Sequence, residues 1–335
     1  MSRIERQPAE WAGPALSAVL ARAGATAAEV GPRFPLYADP TDRRPDGGRW
    51  TTTGRGSWTG GFWAGLLWLR ARATGAAADR QAAVDCTGRL ADWVERDTAT
   101  RGLILWYGTA LAGPAGAGLR DRAALACLDA FEPGPGVVPW GDAFGGPRLL
   151  ARADGVPGLV PLLAMAGNAG AAAARSHLDR HLELCLREQP PRPCWQAGPD
   201  GGWLPGAEPP PGWSRTVPWL LLGAADGLHV LGGEQTMVTG LLAARSPAAD
   251  TSAAAIEAVA LLKLAALEQP LPGARDAAVR ILERLTSRHL RDGRLLDGCY
   301  DAGHGLAVRH QLVWGDFFLA LGLAILTGLV EPFEA

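Results

Sequence analysis

The chain has 335 residues, 48% hydrophobic and 20% charged, which provides for a large buried core and argues against global disorder. A net charge of −2 without a basic stripe points away from nucleic acid as a partner. The five cysteines, Cys86, Cys127, Cys185, Cys194 and Cys299, are scattered without a CxxC or Cys/His pattern, so buried thiols are expected and no metal site.

The opening stretch MSRIERQPAEW has no signal-peptide core, and the longest apolar run, Phe317 to Val330, is short for a bilayer span. A cytoplasmic protein with no membrane association is therefore expected. Strand signals are weak, because Val, Ile, Thr and Tyr are sparse and no alternating run lies between turn dipeptides. Helical periodicity predicts twelve helices, at about 8–24, 60–74, 78–96, 101–112, 116–131, 155–168, 171–188, 214–231, 233–245, 251–267, 273–290 and 314–328.

These helices alternate in kind. The third carries Asp79, Arg80, Asp85, Arg89, Asp92, Glu95 and Arg96 around Val84, Leu90, Trp93 and Val94, so one face is solvated. The fifth, seventh and eleventh are similar. The second, fourth, sixth and twelfth are apolar nearly all round, and the eighth and tenth almost so, which requires burial on every side. Alternation of surface and buried helices predicts an all-α, single-domain (α/α)6 barrel over residues 1–335, with six inner helices wrapped by six outer ones. Two stacked helical bundles are the alternative, but they would not alternate so regularly.

Parallel inner helices bring their N-termini to one end, where free N–H groups and positive dipole ends gather. Polar and aromatic residues cluster at those six starts: Trp58-Thr59 with Trp63 behind them, Thr100-Arg101, Asp154, Trp213-Ser214-Arg215, Asp250-Thr251-Ser252 and Trp314-Gly315-Asp316. Thr59, Asp154 and Asp250 to Ser252 are also ordinary helix caps, and Arg215 is also an ordinary structural ion-pair partner. Gly60-Gly61 marks a close backbone approach. Long connections at 32–57, 132–153, 189–212 and 291–313, rich in Pro, Gly and Trp, are expected to line the same mouth as loops.

Four of these strings resemble the unsaturated glucuronyl and unsaturated rhamnogalacturonyl hydrolases, glycoside hydrolases with (α/α)6 barrels. Trp58-Thr59-Gly60-Gly61-Phe62-Trp63-Ala64-Gly65-Leu66-Leu67-Trp68-Leu69 resembles W-T-x-G-F-W-P-G-x-x-W-L. Trp213-Ser214-Arg215-Thr216-Val217-Pro218-Trp219 resembles W-A-R-G-Q-A-W. Asp250-Thr251-Ser252-Ala253-Ala254-Ala255-Ile256 resembles D-S-S-A-A-A-I, and Trp314-Gly315-Asp316-Phe317-Phe318 resembles W-G-D-Y-F. The matches run in order from about residue 37 to 320.

The resemblance implies hydration of the C4=C5 double bond of an unsaturated uronyl residue by one aspartate, for which Asp154 is the counterpart. Such a carboxylate works best in a partly desolvated site. The resemblance also implies a second aspartate in H-D-x-G-F, but here Ala99-Thr100-Arg101-Gly102-Leu103 stands in its place. The histidine implied before the eighth helix is absent from Pro193-Cys194-Trp195-Gln196. Asp97, Asp142, His304 and His310 are the candidate substitute acids or bases.

The expected substrate-binding set is Trp58, Trp63, Arg101, Trp213, Arg215, Asp250, Ser252, Trp314 and Asp316. Arg101 and Arg215 offer guanidinium groups to an anionic small molecule or saccharide. No nucleotide loop is present, and no cofactor is expected. Three functions follow from this pattern: a hydrolase of unsaturated uronyl or related sugars, a natural-product tailoring enzyme on the same barrel, or a non-catalytic carbohydrate-binding chain with a partner subunit.

Overall fold

A computed structural model of the chain describes residues 10–40, 50–246 and 249–335. Among them lie twelve α-helices: α1 (Ala12–Val30), α2 (Gly60–Thr74), α3 (Ala77–Gly88), α4 (Tyr107–Thr109), α5 (Pro114–Asp129), α6 (Leu159–Met165), α7 (Gly167–Cys185), α8 (Thr216–Leu231), α9 (Thr236–Ala243), α10 (Thr251–Ala265), α11 (Ala274–Arg284) and α12 (Val313–Leu326). The predicted first helix begins outside the described residues.

The even helices are buried on all sides. Every residue of α10 from Thr251 to Leu264 and every residue of α12 is buried. The odd helices bury one stripe: α11 buries Ala274, Ala278 and Leu282, spaced four apart, and α3 buries Ala83, Cys86 and Thr87. Packing runs from α2 to α4 and the π-helical segment before it, Gly102–Trp106, from that segment to α6, then to α8, α10 and α12, and from α12 back to α2, which closes an inner ring. Each outer helix lies against a ring member: α3 on α2, α5 on α6, α7 on α6 and α8, α9 on α8, α11 on α10, and α1 on α12 and α2. This is the (α/α)6 barrel that the alternation predicts.

The second inner element is irregular: a π-helical segment, Gly102–Trp106, leads into α4 and then a 3₁₀ turn, Ala110–Ala112. Its backbone is pressed between neighbours. A methyl on Gly61 would collide with the carbonyls of Leu103 and Ile104, and one on Gly102 with the backbone of residues 157–159. The Gly60-Gly61 pair thus serves the close approach expected of it. Thr59 does not cap α2; its hydroxyl donates to the Gly56 carbonyl at 3.1 Å.

The long connections differ from the expectation of loops. They hold nine short strands among the described residues. β1 (Phe34–Ala38), β2 (Trp50–Thr53), β8 (Gly298–Asp301) and β9 (Leu306–Leu312) form one antiparallel sheet in the order β2-β1-β9-β8. β3 (Leu150–Arg152), β4 (Cys194–Ala197) and β5 (Trp203–Pro205) form a second, and β6 (Leu290–Arg291) with β7 (Arg294–Leu295) a hairpin. These runs are two to seven residues long, too short for period-2 alternation to stand out. The connection at 32–57 includes residues 41–49, which lie outside the described ones.

Candidate active site

The two sheets stand beside the N-terminal ends of the inner helices, and between them opens a cavity of about 940 Å³. Five of the six inner-helix approaches contribute to its lining: Trp58 before α2, Asp154 before α6, Trp213 to Arg215 before α8, Asp250 before α10, and the β8–β9 connection before α12. The sixth start, at Thr100, is roofed over. Ala99 N–H donates to the Trp140 carbonyl at 3.1 Å and Ala143 N–H to the Asp97 carbonyl at 3.1 Å, so the 132–150 connection covers that start and borders the cavity in its stead.

Asp154 sits on a 3₁₀ turn, Ala153–Gly155, between β3 and α6. Arg152 clasps both of its oxygens, Nε to Oδ1 at 3.0 Å and Nη2 to Oδ2 at 2.9 Å. The same guanidinium lies 3.9 Å above the Trp140 ring, so its own orientation is held by a cation–π contact. From behind, buried His177 accepts the Val138 N–H on Nδ1 at 3.0 Å, which leaves Nε2 to donate to the Gly155 carbonyl at 3.2 Å. Burial drives the His177 pKa well below its usual value and brings that of neighbouring His181 down to about 4, so both rings are neutral. A neutral imidazole thus fixes the turn that carries Asp154. His177 is absent from the sequence-predicted set; its signal is the His177/His181 spacing of four on the inward face of α7.

Where the family resemblance implies a second aspartate, Thr100 is buried, with its hydroxyl 2.8 Å from that of Thr98. Ala99 lies beside Asp154, since a Cβ on Gly155 would stand 3.1 Å from the Ala99 Cβ. No acid replaces the missing one from this side. Asp97 faces away and pairs with Arg148 at 2.7 Å, and exposed Asp142 borders a separate small groove with Arg55 and Arg96.

Asp250 caps α10 and joins three elements. Its Oδ1 accepts from Ser252 N (3.0 Å), Ser252 Oγ (2.7 Å) and Cys299 N (3.1 Å), and its Oδ2 from Ser214 Oγ (2.8 Å) and Arg215 Nη1 (2.9 Å). Arg215 also donates to the Cys299 carbonyl and, at 2.8 Å, to that of Tyr300. Arg215, Asp250 and Ser252 therefore tie α8, α10 and β8 into a cavity floor. Asp250 thus already has five donors and Ser252 is fully buried away from the cavity, whereas Arg215 and Asp250 still border it, and Arg215 keeps its Nε as a buried, unpartnered donor.

Trp58 and Trp213 line the cavity, as expected of an aromatic wall. Trp58 donates to the Tyr300 hydroxyl at 3.1 Å and rests 4.8 Å from Trp314. Trp314 is fully buried, supporting Trp58 from beneath and not reaching the cavity; Trp63 is likewise buried in the core. Arg101 is also displaced from its expected role, since it is buried outside the ring and donates to the Ala126 carbonyl of α5 at 3.2 Å. His310 lies off the cavity, edge-on to Tyr37. His304 borders the cavity and pairs with Asp301 at 2.8 Å, which raises its pKa. Glu208, Asp297 and Asp301, on the connections opposite, line the cavity as well and are missing from the predicted binding set. No group of three or more His, Cys, Asp or Glu among the described residues is arranged to hold a metal.

Asp316 is the clearest departure. It is buried below the floor, where Oδ1 accepts the Leu295 N–H at 2.9 Å and Oδ2 the Gln311 Nε2 at 2.6 Å. Burial pushes its pKa up to about 7, against the pull of those two donors and of Arg22 and Arg294. A carboxyl raised in the folded state stabilises the fold at low pH, and that contribution is lost as pH rises from about 4 through 7. Asp316→Asn keeps the Leu295 bond, and a turned Gln311 amide presents its now unpartnered Oε1 to the new amide. The variant is expected to lose the fall in stability across that window, a term of up to about 4 kcal/mol, with urea unfolding from pH 4 to 8 as the measurement. A slope unchanged from wild type would contradict it.

No family model and no curated protein matches the sequence. Solved structures do. The unsaturated glucuronyl hydrolase of Bacillus sp. GL1, responsible for degradation of glycosaminoglycan, superposes with a TM-score of 0.82 at 20% identity, over 94% of this chain and 96% of that one. The chain has the fold of the unsaturated glucuronyl hydrolases. A second such enzyme, specific for heparin, gives 0.81 at 18% identity over 95% and 97% of the two chains. That of Streptococcus agalactiae gives 0.81 at 15% identity over 96% and 92%. No helix among the described residues is long and apolar enough to cross a membrane.

Proposed function

We propose that the chain is a glycoside hydrolase-like enzyme that hydrates the ring double bond of an unsaturated uronyl or related sugar, with Asp154 as acid and base. The observation that carries this reading is the place of Asp154, a cavity carboxylate beside the Ala99–Thr100 segment; Arg152, which donates to both of its oxygens, has to release one of them before that oxygen can carry the proton it delivers. In this chemistry Asp154 delivers a proton to one carbon of the double bond and takes one from the water that adds to the other. The resulting hemiketal opens and releases the group attached to the ring. Trp58 and Trp213 supply flat apolar surface against which a ring can lie. A neighbour of the same fold, from S. agalactiae, was solved with dGlcA-GalNAc6S bound, a saccharide ligand that fits this class.

The test is incubation of the purified chain with unsaturated uronyl disaccharides, following loss of the double-bond absorbance together with release of the second sugar. Absence of both at high enzyme concentration would exclude the hydrolase reading. A second reading, natural-product tailoring by addition or elimination, draws on the charge of the lining. Among the described residues, Asp154, Glu208, Asp250, Asp297 and Asp301 outnumber Arg152, Arg215 and Arg309, and Thr100 is closed on Thr98. Such a lining suits a less anionic molecule than a sulfated saccharide.

A further inference from the structure

The wall next to Asp154 is apolar in a way that the core does not require. Trp140, Leu150 and Cys194 form a small hydrophobic cluster separate from the main core, and all three border the cavity. Phe144 extends that wall outward. It stacks on Trp93 at 5.3 Å and 10°, approaches Trp140 at 6.5 Å, borders the cavity and is 36% exposed. An aromatic ring fixed on one face and open to a cavity is a preformed surface for another flat group.

The main-chain polar atoms at the root of this wall are already in use, and its ring surface adds only the Trp140 indole N–H. Trp140 N–H donates to the Leu150 carbonyl at 3.0 Å, the Trp140 carbonyl accepts from Ala99, and Gly141 N–H donates to the Arg148 carbonyl at 3.1 Å. Arg152, between wall and carboxylate, spends Nε and Nη2 on Asp154. A sugar placed here would lose water from its hydroxyls and find few partners, which is costly, whereas an apolar ring loses nothing by leaving water.

The geometry points to a leaving-group subsite on the Trp140–Phe144 wall that takes an aromatic or other flat apolar aglycone, not a second sugar. This rests on the reading of Asp154 as the acid and base, since it is proximity to that carboxylate that makes the wall a leaving-group site. Arg152, on Trp140 with one face and on Asp154 with its edge, sets the two one guanidinium apart. A cavity of about 940 Å³ has room for a sugar ring and a fused bicyclic group together.

Binding tests this without catalysis. Saturated 4-methylumbelliferyl glucuronide and methyl glucuronide share the sugar, lack the reactive double bond and differ in the aglycone. Calorimetry is expected to show the aryl glycoside binding at least about tenfold tighter, and Phe144→Ser, a change at a partly exposed position, is expected to remove most of that ratio. Affinities within about twofold of each other, a ratio untouched by Phe144→Ser, or no binding of either glycoside and of free 4-methylumbelliferone would overturn the inference. The two readings separate cleanly. Turnover of an unsaturated disaccharide with no aryl preference sinks the subsite and keeps the hydrolase. Aryl-dependent binding with no turnover of any unsaturated uronide keeps the apolar ring-binding wall and sinks the hydrolase, and with it the wall's role as a leaving-group site.

Discussion

Asp154→Asn is expected to lower turnover of an unsaturated uronyl substrate by about 10²–10⁴-fold while leaving the protein folded. The amide retains one acceptor oxygen for Arg152, and the guanidinium keeps its place on Trp140, so the cavity is preserved. What the variant loses is the ability to pass a proton to the ring carbon and to take one from water. An effect confined to kcat, with KM nearly unchanged, is the signature of a group acting mainly in the transition state. A second variant, Arg152→Met, separates positioning from chemistry: it frees Asp154 to turn, and a smaller loss is expected than with Asp154→Asn. Equal rates for wild type and Asp154→Asn would remove this carboxylate from the reaction. Asp297, Asp301 and Glu208 would then be the remaining acids on the cavity among the described residues, beside Asp250 with its five donors.

Much of the barrel was legible because burial leaves its mark on composition. A helix such as α12, from Val313 to Leu326, has no polar face to turn outward, and neighbours such as α11 have an evident one. Alternation of the two kinds is enough to write the inner and outer rings. Helix ends were less legible, as at the predicted 78–96, where α3 stops at Gly88 and a short 3₁₀ turn, Ala91–Trp93, follows. The strands were hidden for another reason. β1 pairs with β9 at Tyr37 and Leu312, and β3 with β4 at Ala151 and Trp195, so these strands depend on partners far along the chain, whereas β6 with β7 and β8 with β9 pair locally. No local window contains that information.

The site was legible by position and less so by role. Proximity to an inner-helix start correctly marks Trp58, Asp154, Trp213, Arg215 and Asp250 as cavity residues. It does not tell which side chains remain available once the interior is assembled. Asp250 and Arg215 spend their hydrogen bonds on one another and on β8, and Asp316 spends its pair on Leu295 and Gln311. A buried polar group must find partners, and at a helix mouth those partners are often structural. Ser57, Asp297 and Arg309, with φ of 52°, 64° and 66°, line the cavity in the left-handed region, a backbone feature that residue identity does not announce.

Lys263→Met is expected to destabilise the chain by about 3–5 kcal/mol, far more than loss of a surface lysine. Lys263 is the chain's single lysine and is fully buried in α10. Its Nζ donates to Asp226 Oδ1 of α8 at 2.6 Å, inside the inner ring. Asp226 Oδ2 has no partner, so Lys263 is the one hydrogen-bonding cation on this carboxylate among the described residues. Burial already pushes the Asp226 pKa up, with Lys263 the main force opposing it. Without the ammonium the carboxyl must take up a proton in order to stay buried. That uptake becomes easier as pH falls, so the deficit relative to wild type should shrink toward acid and be largest above neutrality. The double variant Asp226→Leu/Lys263→Met replaces both charges with apolar side chains and is expected to recover most of the loss, since removing an entire buried pair is far cheaper than removing half of it. Thermal and urea unfolding of the three proteins decide the matter. A single variant as stable as wild type, or a double variant no better than the single, would mean that the pair is not the buried charge centre that holds α8 to α10.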